Sequence, residues 1–224
     1  PEKIKNHYNF LCKNPNIDVV YSDCKTFSGD DLNKKNKWKS MDLYRNGKIF
    51  LNLVQESFIL PHMPLSRKKI LVSSGGYDTS LSSCIDYEFW LRIASANRNF
   101  YFLNDNTYVL YRIREESLSS SSTKFATNGL YSLKKFKYII DTMDENAQKI
   151  YNNAIGDWIF KKGKSLHESR KYFLGITNMV KGIFKSRVNF QYKICFLFLA
   201  IFFSAENSDK ILKNIKTIKG YFLR

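Results

Sequence analysis

Cysteine and proline are scarce in this chain of 224 residues, with 4 of each. Cys12, Cys24, Cys84 and Cys195 form no C-x-x-C pair and no histidine-paired spacing, so neither a zinc module nor a disulfide framework is indicated. Such free thiols suit a reducing, cytoplasmic setting. A glycine-rich phosphate loop is missing, as are paired carboxylates at Asp-x-Asp spacing; Asp30-Asp31 is the nearest approach, in a lysine-rich stretch. The apolar run at 194–203 is well short of the roughly 20 residues that a bilayer-spanning helix needs, and widening it brings in Gln191 and Lys193. There is no repeat of solenoid type and no signal-peptide pattern at the start, where Pro1-Glu2-Lys3 reads as a cut from something longer. Acidic residues are in short supply too: 20 Asp and Glu against 36 Lys and Arg leave a net charge of +16, which speaks of partners rather than of fold. What is present is 44% hydrophobic and 16% aromatic residues, enough for a real core and too much for a disordered tail.

Hydrophobic spacing predicts a first helix at about 1–13, with Ile4, His7, Tyr8 and Leu11 on one face and Pro15 closing it. A buried strand follows at 17–22, then a polar surface loop at 28–40. A helix is expected at 49–57, and a shorter one capped by Ser66 and stopped by Gly75-Gly76. From Asp86, the residues Tyr87, Trp90, Leu91 and Ala94 share one face, with Glu88 and Arg92 paired at i, i+4, which makes an amphipathic helix. Strands at 100–103 and 107–111 flank the turn Asn104-Asp105-Asn106, and the serine run at 117–122 marks a boundary. Beyond it the chain turns lysine-rich and helical, with helices expected at 126–143, 145–162 and 165–184. At the end, Ile211, Leu212, Ile215 and Ile218 oppose Lys210, Lys213, Lys216 and Lys219, a basic amphipathic helix suited to an anionic membrane surface.

A series of short motifs runs through the first half. It comprises Pro1-Glu2-Lys3-Ile4, Val19-Val20-Tyr21-Ser22-Asp23, Arg67 with Gly75-Gly76-Tyr77-Asp78, Asp86-Tyr87-Glu88-Phe89-Trp90-Leu91-Arg92, and Tyr111-Arg112 with Ser117 and Ser119. In order and spacing this series resembles the family 2 glycosyltransferases, over residues 1 to about 120. The resemblance implies an α/β chain: residues 1–122 as the acceptor-side half of a nucleotide-diphospho-sugar transferase (GT-A-like) domain, and 123–224 as a helical C-terminal region. It also implies that the nucleotide-binding half lies upstream of Pro1. The ligands of a divalent cation, Mg²⁺ or Mn²⁺, are expected there as well, with no metal ligands in this chain, which alone would be catalytically silent.

The same resemblance makes Asp86 the general base of an inverting sugar transfer, taking a proton from the acceptor hydroxyl as it attacks the anomeric carbon. Read without the resemblance, Asp86 is a helix N-cap, and the two roles are compatible. His62 lies in a loop where related enzymes admit the acceptor, and Arg67 belongs to the same substrate-side series. Trp90 would pack under the acceptor site or simply fill the core. Gly75 and Gly76 read either as clearance for a sugar or as a helix stop. Where similar proteins have Tyr-Arg-x-His, this chain has Arg112 and Arg114, which suit the donor's diphosphate or plain solvent. Ile85 replaces an acidic residue often found before the Asp, so an acidic pair is made differently or not at all.

These implications add up to an enzyme moving a sugar from a nucleotide-sugar donor to a cell-surface polysaccharide or lipid-linked glycan acceptor. Its expected place is the cytoplasm, peripheral on the inner face of the plasma membrane. The competing classes are a basic nucleic-acid-binding protein and a noncatalytic membrane-surface protein. Against nucleic acid as a partner stand the lack of any recognisable RNA or DNA module and the spread of lysines over every segment, away from stacking aromatics.

Overall fold

The computed structural model describes residues 2–28, 36–37, 45–113, 123–204, 207–208 and 210–212. Most of the expected loop at 28–40 lies outside the described residues, as do Arg114, the serines at 117–122 and the tail residues Lys213, Ile215, Lys216, Ile218 and Lys219. The chain is mixed α/β and divides into two compact units, Pro1–Ser120 with Lys135–Thr142, and Ser121–Lys134 with Met143–Arg224.

The first unit runs α1 (Glu2–Lys13), β1 (Val19–Tyr21), β2 (Asp23–Ser28), β3 (Asn36–Lys37), α2 (Phe50–Gln55), β4 (Pro64–Ser66), α3 (Lys68–Ser73), α4 (Ile85–Ser95), β5 (Phe100–Phe102) and β6 (Tyr108–Ile113). Next in the chain come α5 (Thr123–Lys134), of the second unit, and the short α6 (Lys137–Ile140), of the first; α7 (Glu145–Glu168), α8 (Tyr172–Lys185) and α9 (Phe190–Phe202) complete the second.

Among the described residues, two three-stranded sheets carry the first unit, in the orders β4-β1-β5 and β3-β2-β6. In each, the central strand has one antiparallel and one parallel neighbour. The parallel pairs require a long crossover, and the segment holding α2, α3 and α4 supplies it. Val19, Val20 and Tyr21 are wholly buried, as expected of a strand covered on both faces. Tyr21 is in register with Phe102 and Asp23 with Tyr108, so the single residue Ser22 stands against the stretch 103–107. Asp105 closes that stretch. Its Oδ1 accepts from Thr107 N at 3.1 Å and from Thr107 Oγ1 at 2.5 Å, while its Oδ2 accepts from Asn6 of α1 at 2.8 Å.

Several expected elements change here. The strand expected over 17–22 contracts to β1, and a second strand, β2, begins at Asp23 because β6 offers it a parallel edge. Ser66 belongs to β4 and caps nothing; Arg67 precedes α3 without a side-chain cap bond. The helix expected over 126–143 is interrupted between Lys134 and Lys137, and α7 runs on to Glu168, past the break expected near 162.

Glycine explains that continuity. In the second unit α7 and α8 lie antiparallel, with Gly156 against Gly182 and Gly163 against Gly175. A Cβ on Gly163 would sit 2.6 Å from Met179 N and 2.7 Å from Gly175 O, and one on Gly182 would sit 2.7 Å from Gly156 O and from Phe160 N. The two backbones therefore touch directly, and the glycines that weaken each helix by ~1 kcal/mol in isolation permit the packing that holds both. Phe160, Met179, Ile183, Phe196 and Ala200 fill the adjoining core. At its start α7 is capped by Asp144, which accepts from Ala147 N at 2.8 Å.

Gly163→Ala should lower the unfolding free energy of the second unit by about 2–3 kcal/mol, because backbone atoms cannot yield as side chains do. Urea unfolding of the pure variant measures it. A variant as stable as the parent would mean that the two helices do not meet through their backbones.

Candidate functional site

The DYEFW motif forms α4, and the structure buries it on nearly every side: Tyr87, Glu88, Phe89, Trp90, Leu91, Ile93 and Ala94 are all covered. Glu88 makes the expected i, i+4 pair with Arg92, and its side chain is 0% exposed. A buried carboxylate needs compensation, and three charged donor contacts supply it. Lys135 Nζ donates to Oε1 at 2.6 Å, Arg92 Nε to Oε1 at 3.1 Å and Arg92 Nη2 to Oε2 at 2.9 Å. Burial alone would push the Glu88 carboxyl up, but these hydrogen bonds and charges together outweigh it and hold the group below its ordinary range.

Both cations also reach the GGYD turn. Arg92 donates to the carbonyl of Ser74 and, at 2.7 Å, to that of Gly76, while Lys135 donates to Asp78 Oδ2 at 3.0 Å. Asp78 Oδ1 accepts in turn from Ser80 N at 2.9 Å and Ser80 Oγ at 2.6 Å. Hydrogen bonds from Ser80 and Lys135 draw the Asp78 carboxyl down to about 2. Gly75 and Gly76 have φ of +79° and +73°, and a Cβ on either would meet nothing within 4 Å. The turn needs glycine for conformation, as a helix stop does, and the surroundings of both residues are open.

Asp86 sits in the first turn of α4, and its situation is the reverse of Glu88's. It is not the N-cap: that position is Cys84, in the left-handed conformation at φ 55° and without a side-chain cap bond. The chain enters the helix at Ile85, two residues earlier than an Asp86 cap would require. Asp86 is half-buried, and among the described residues no side chain donates to its carboxylate. Burial pushes its carboxyl above the ordinary range, with the backbone N–H groups of Tyr87 and Asp86 opposing in part. Its charge is felt by the neighbouring Tyr77, whose phenol is pushed up first by burial and then by Asp86. The Tyr77 ring is half exposed and rests on Phe89, with centroids 4.6 Å apart.

The other expected site residues divide. Trp90 is 4% exposed and packs edge-on against Phe89 and Phe100, with its indole N–H buried and unpartnered among the described residues; it is a core residue. Arg67 spends its guanidinium within the fold, Nε on Ile17 O at 3.0 Å and Nη2 on Leu11 O at 2.7 Å and Asn14 O at 3.0 Å. The carbonyls of Leu11 and Asn14 end α1, so Arg67 acts as a C-terminal cap contributed from the strand β4 side. His62 is half-buried, stacked on Tyr111 at 5.4 Å, with Cys24 Sγ 4.0 Å from its Nε2 and Lys3 Nζ donating to its carbonyl at 3.0 Å. None of these partners belongs to the cluster around α4. Burial, with a smaller effect from Lys3, lowers the His62 imidazole. Arg112 is exposed on β6, with its guanidinium 5.1 Å from the Phe27 ring centroid. Among the described residues no group of three or more His, Cys, Asp and Glu side chains could hold a metal ion.

Sequence reasoning misses Lys135. It stands 47 positions from Glu88, in the part of the chain that returns to the first unit after α5, and no local pattern links it to the motif. The only available signal is the demand itself, since a helix as apolar as α4 leaves Glu88 needing more than one cation once it is covered. No protein-family model matches the chain, and no curated protein matches it.

Two substitutions on one helix should act in opposite directions. The raised Asp86 costs stability as pH climbs past its ordinary 3.8, whereas the lowered Glu88 contributes stability above its ordinary 4.5 and loses it as pH falls through the folded value. At pH 7, Glu88→Gln should therefore cost about 3 kcal/mol, while Asp86→Asn leaves the melting temperature equal or higher. Thermal unfolding of both variants checks this. A strong loss of stability in Asp86→Asn would make that carboxylate a structural group.

Proposed function

We propose that the chain is the acceptor-side half of a family 2 sugar transferase with a GT-A-like domain, and that Asp86 is its general base. The observation that carries this reading is the contrast within one turn of α4. Glu88 is tied down by two cations, while Asp86 is half-buried, unclaimed by any described side chain and raised by desolvation. Carboxylates pushed apart in this way by their surroundings mark a division of labour, one structural and one free to exchange a proton.

The step in this reading is an inverting displacement. An acceptor hydroxyl oxygen forms a bond to the anomeric carbon as its proton passes to a carboxylate oxygen of Asp86. The bond from that carbon to the donor's diphosphate breaks, its electron pair leaving with the nucleoside diphosphate, and the configuration inverts. The carboxylate's contribution is of the order of 10²–10⁴ in rate. Tyr77 lies beside the base and, with the open GGYD turn, lines the acceptor side. His62 is the candidate contact for a more distant part of the acceptor, and Arg112 with Arg114 for the diphosphate. Arg67 and Trp90 are spent inside the fold and have structural roles in this reading. The divalent cation and the nucleotide belong, in this reading, to residues that precede this chain, and the acceptor is a polysaccharide or lipid-linked glycan at the cytoplasmic membrane face.

In a protein long enough to transfer sugar, Asp86→Asn should lower kcat by at least about 100-fold while KM for the donor stays within a few-fold. Steady-state assays with the folded variant measure both. Turnover near that of the parent would remove Asp86 from the chemistry.

A further inference from the structure

Helix α9 is inverted with respect to its charge. Lys193, its one charged residue, is 4% exposed and turns inward, where Nζ pairs with Asp157 and donates to Ser186 Oγ at 2.9 Å. Phe196 and Ala200 are buried on the same side. The opposite face presents Ile194, Phe198, Ile201 and Phe202 at i, i+4, i+7 and i+8, all exposed, Phe198 by 63% and Phe202 by 67%. Helix α8 adds Phe173 and Phe184, both exposed and about three turns apart, hence on one line of that helix.

The segment that carries both helices has charge of one sign, although Asp157 of α7 meets Lys193 on the inner side of α9. Residues 169–205 contain no Asp or Glu, whereas Arg170, Lys171, Lys181, Lys185 and Arg187 are all exposed. An exposed aromatic face of this kind calls for a partner, and exposed cations along the same segment favour an anionic one. A second copy of the same face would set Lys181, Lys185 and Arg187 against their own kind, with no carboxylate of that segment to pair them. An anionic bilayer meets both demands, taking the phenylalanines at the acyl boundary and the lysines and arginines at the phosphates. Among the described residues no helix is long and apolar enough to cross a membrane, so contact lies in the plane of the surface.

We propose that the outward face of α9, flanked by α8, docks on an anionic lipid bilayer. The proposal deepens the membrane location in the reading above but rests on α8 and α9 alone, so vesicle binding and sugar transfer report on different claims.

The test is cosedimentation of the full chain with vesicles of phosphatidylcholine containing about 30% phosphatidylglycerol, beside vesicles of phosphatidylcholine only. The chain should bind the anionic vesicles at low salt, and at least about tenfold less to the neutral ones. The double variant Phe198→Ser, Phe202→Ser should bind the anionic vesicles at least about tenfold more weakly with an unchanged melting temperature. Binding without any sugar transfer would keep this proposal and count against the enzymatic one. Four results would overturn it: no binding of the parent, equal binding of the variant, a lowered melting temperature or dissolved dimer in the variant, or binding only by a chain ending at Ser204. The third would show protein covering the face, and the last would show residues 205–224 covering it.

Discussion

Glu88 has no exposed side-chain surface, and an ionised carboxylate withdrawn from water costs several kcal/mol unless opposite charges and hydrogen bonds replace what it has lost. Arg92 and Lys135 supply that replacement, and in doing so they gather four parts of the first unit. Arg92 reaches the carbonyls of Ser74 and Gly76, and Lys135 reaches Asp78, so the end of α3, the GGYD turn, α4 and the segment after α5 are bound to one buried charge. Such a network specifies one arrangement, since every alternative leaves a charge uncompensated.

That specification matters because Asp86 lies on the same helix two residues away. With Glu88 locking α4 and Arg92 fixing the turn, the position of the Asp86 carboxylate is set without hydrogen bonds from other described side chains. It is thereby left with its proton-accepting capacity intact. A carboxylate held by scaffolding rather than by side-chain donors keeps its capacity to take a proton, at the cost of a desolvated charge in the folded state.

The legible parts of the sequence were those governed by local periodicity. Ile4, His7 and Leu11 announce α1, and the Tyr87, Trp90, Leu91 and Ala94 spacing announces α4. The pairing of Glu88 with Arg92 is legible for the same reason, being an i, i+4 relation. Other features depend on distant partners. Strand β2 exists because β6 lies beside it, Arg67 caps a helix end more than 50 positions away, and Glu88 is covered because Lys135 arrives from beyond α5. The contact of α7 with α8 leaves a trace in the sequence, a glycine at each end of a seven-residue interval in both helices, but its meaning emerges only when the helices are laid antiparallel. For the site, the motif order singles out Asp86, while its desolvation, which gives it chemical interest, is a tertiary property.

Selective ¹³C labelling of the aspartate and glutamate carboxyls, followed by an NMR titration of the folded chain, tests the central claim most directly, because it reads the two groups on α4 in one experiment. The account predicts that Asp86 titrates above its ordinary 3.8 and Glu88 below its ordinary 4.5. An Asp86 that titrates at or below 3.8 would contradict it, because that carboxylate would then be held in its ionised form as firmly as a structural one.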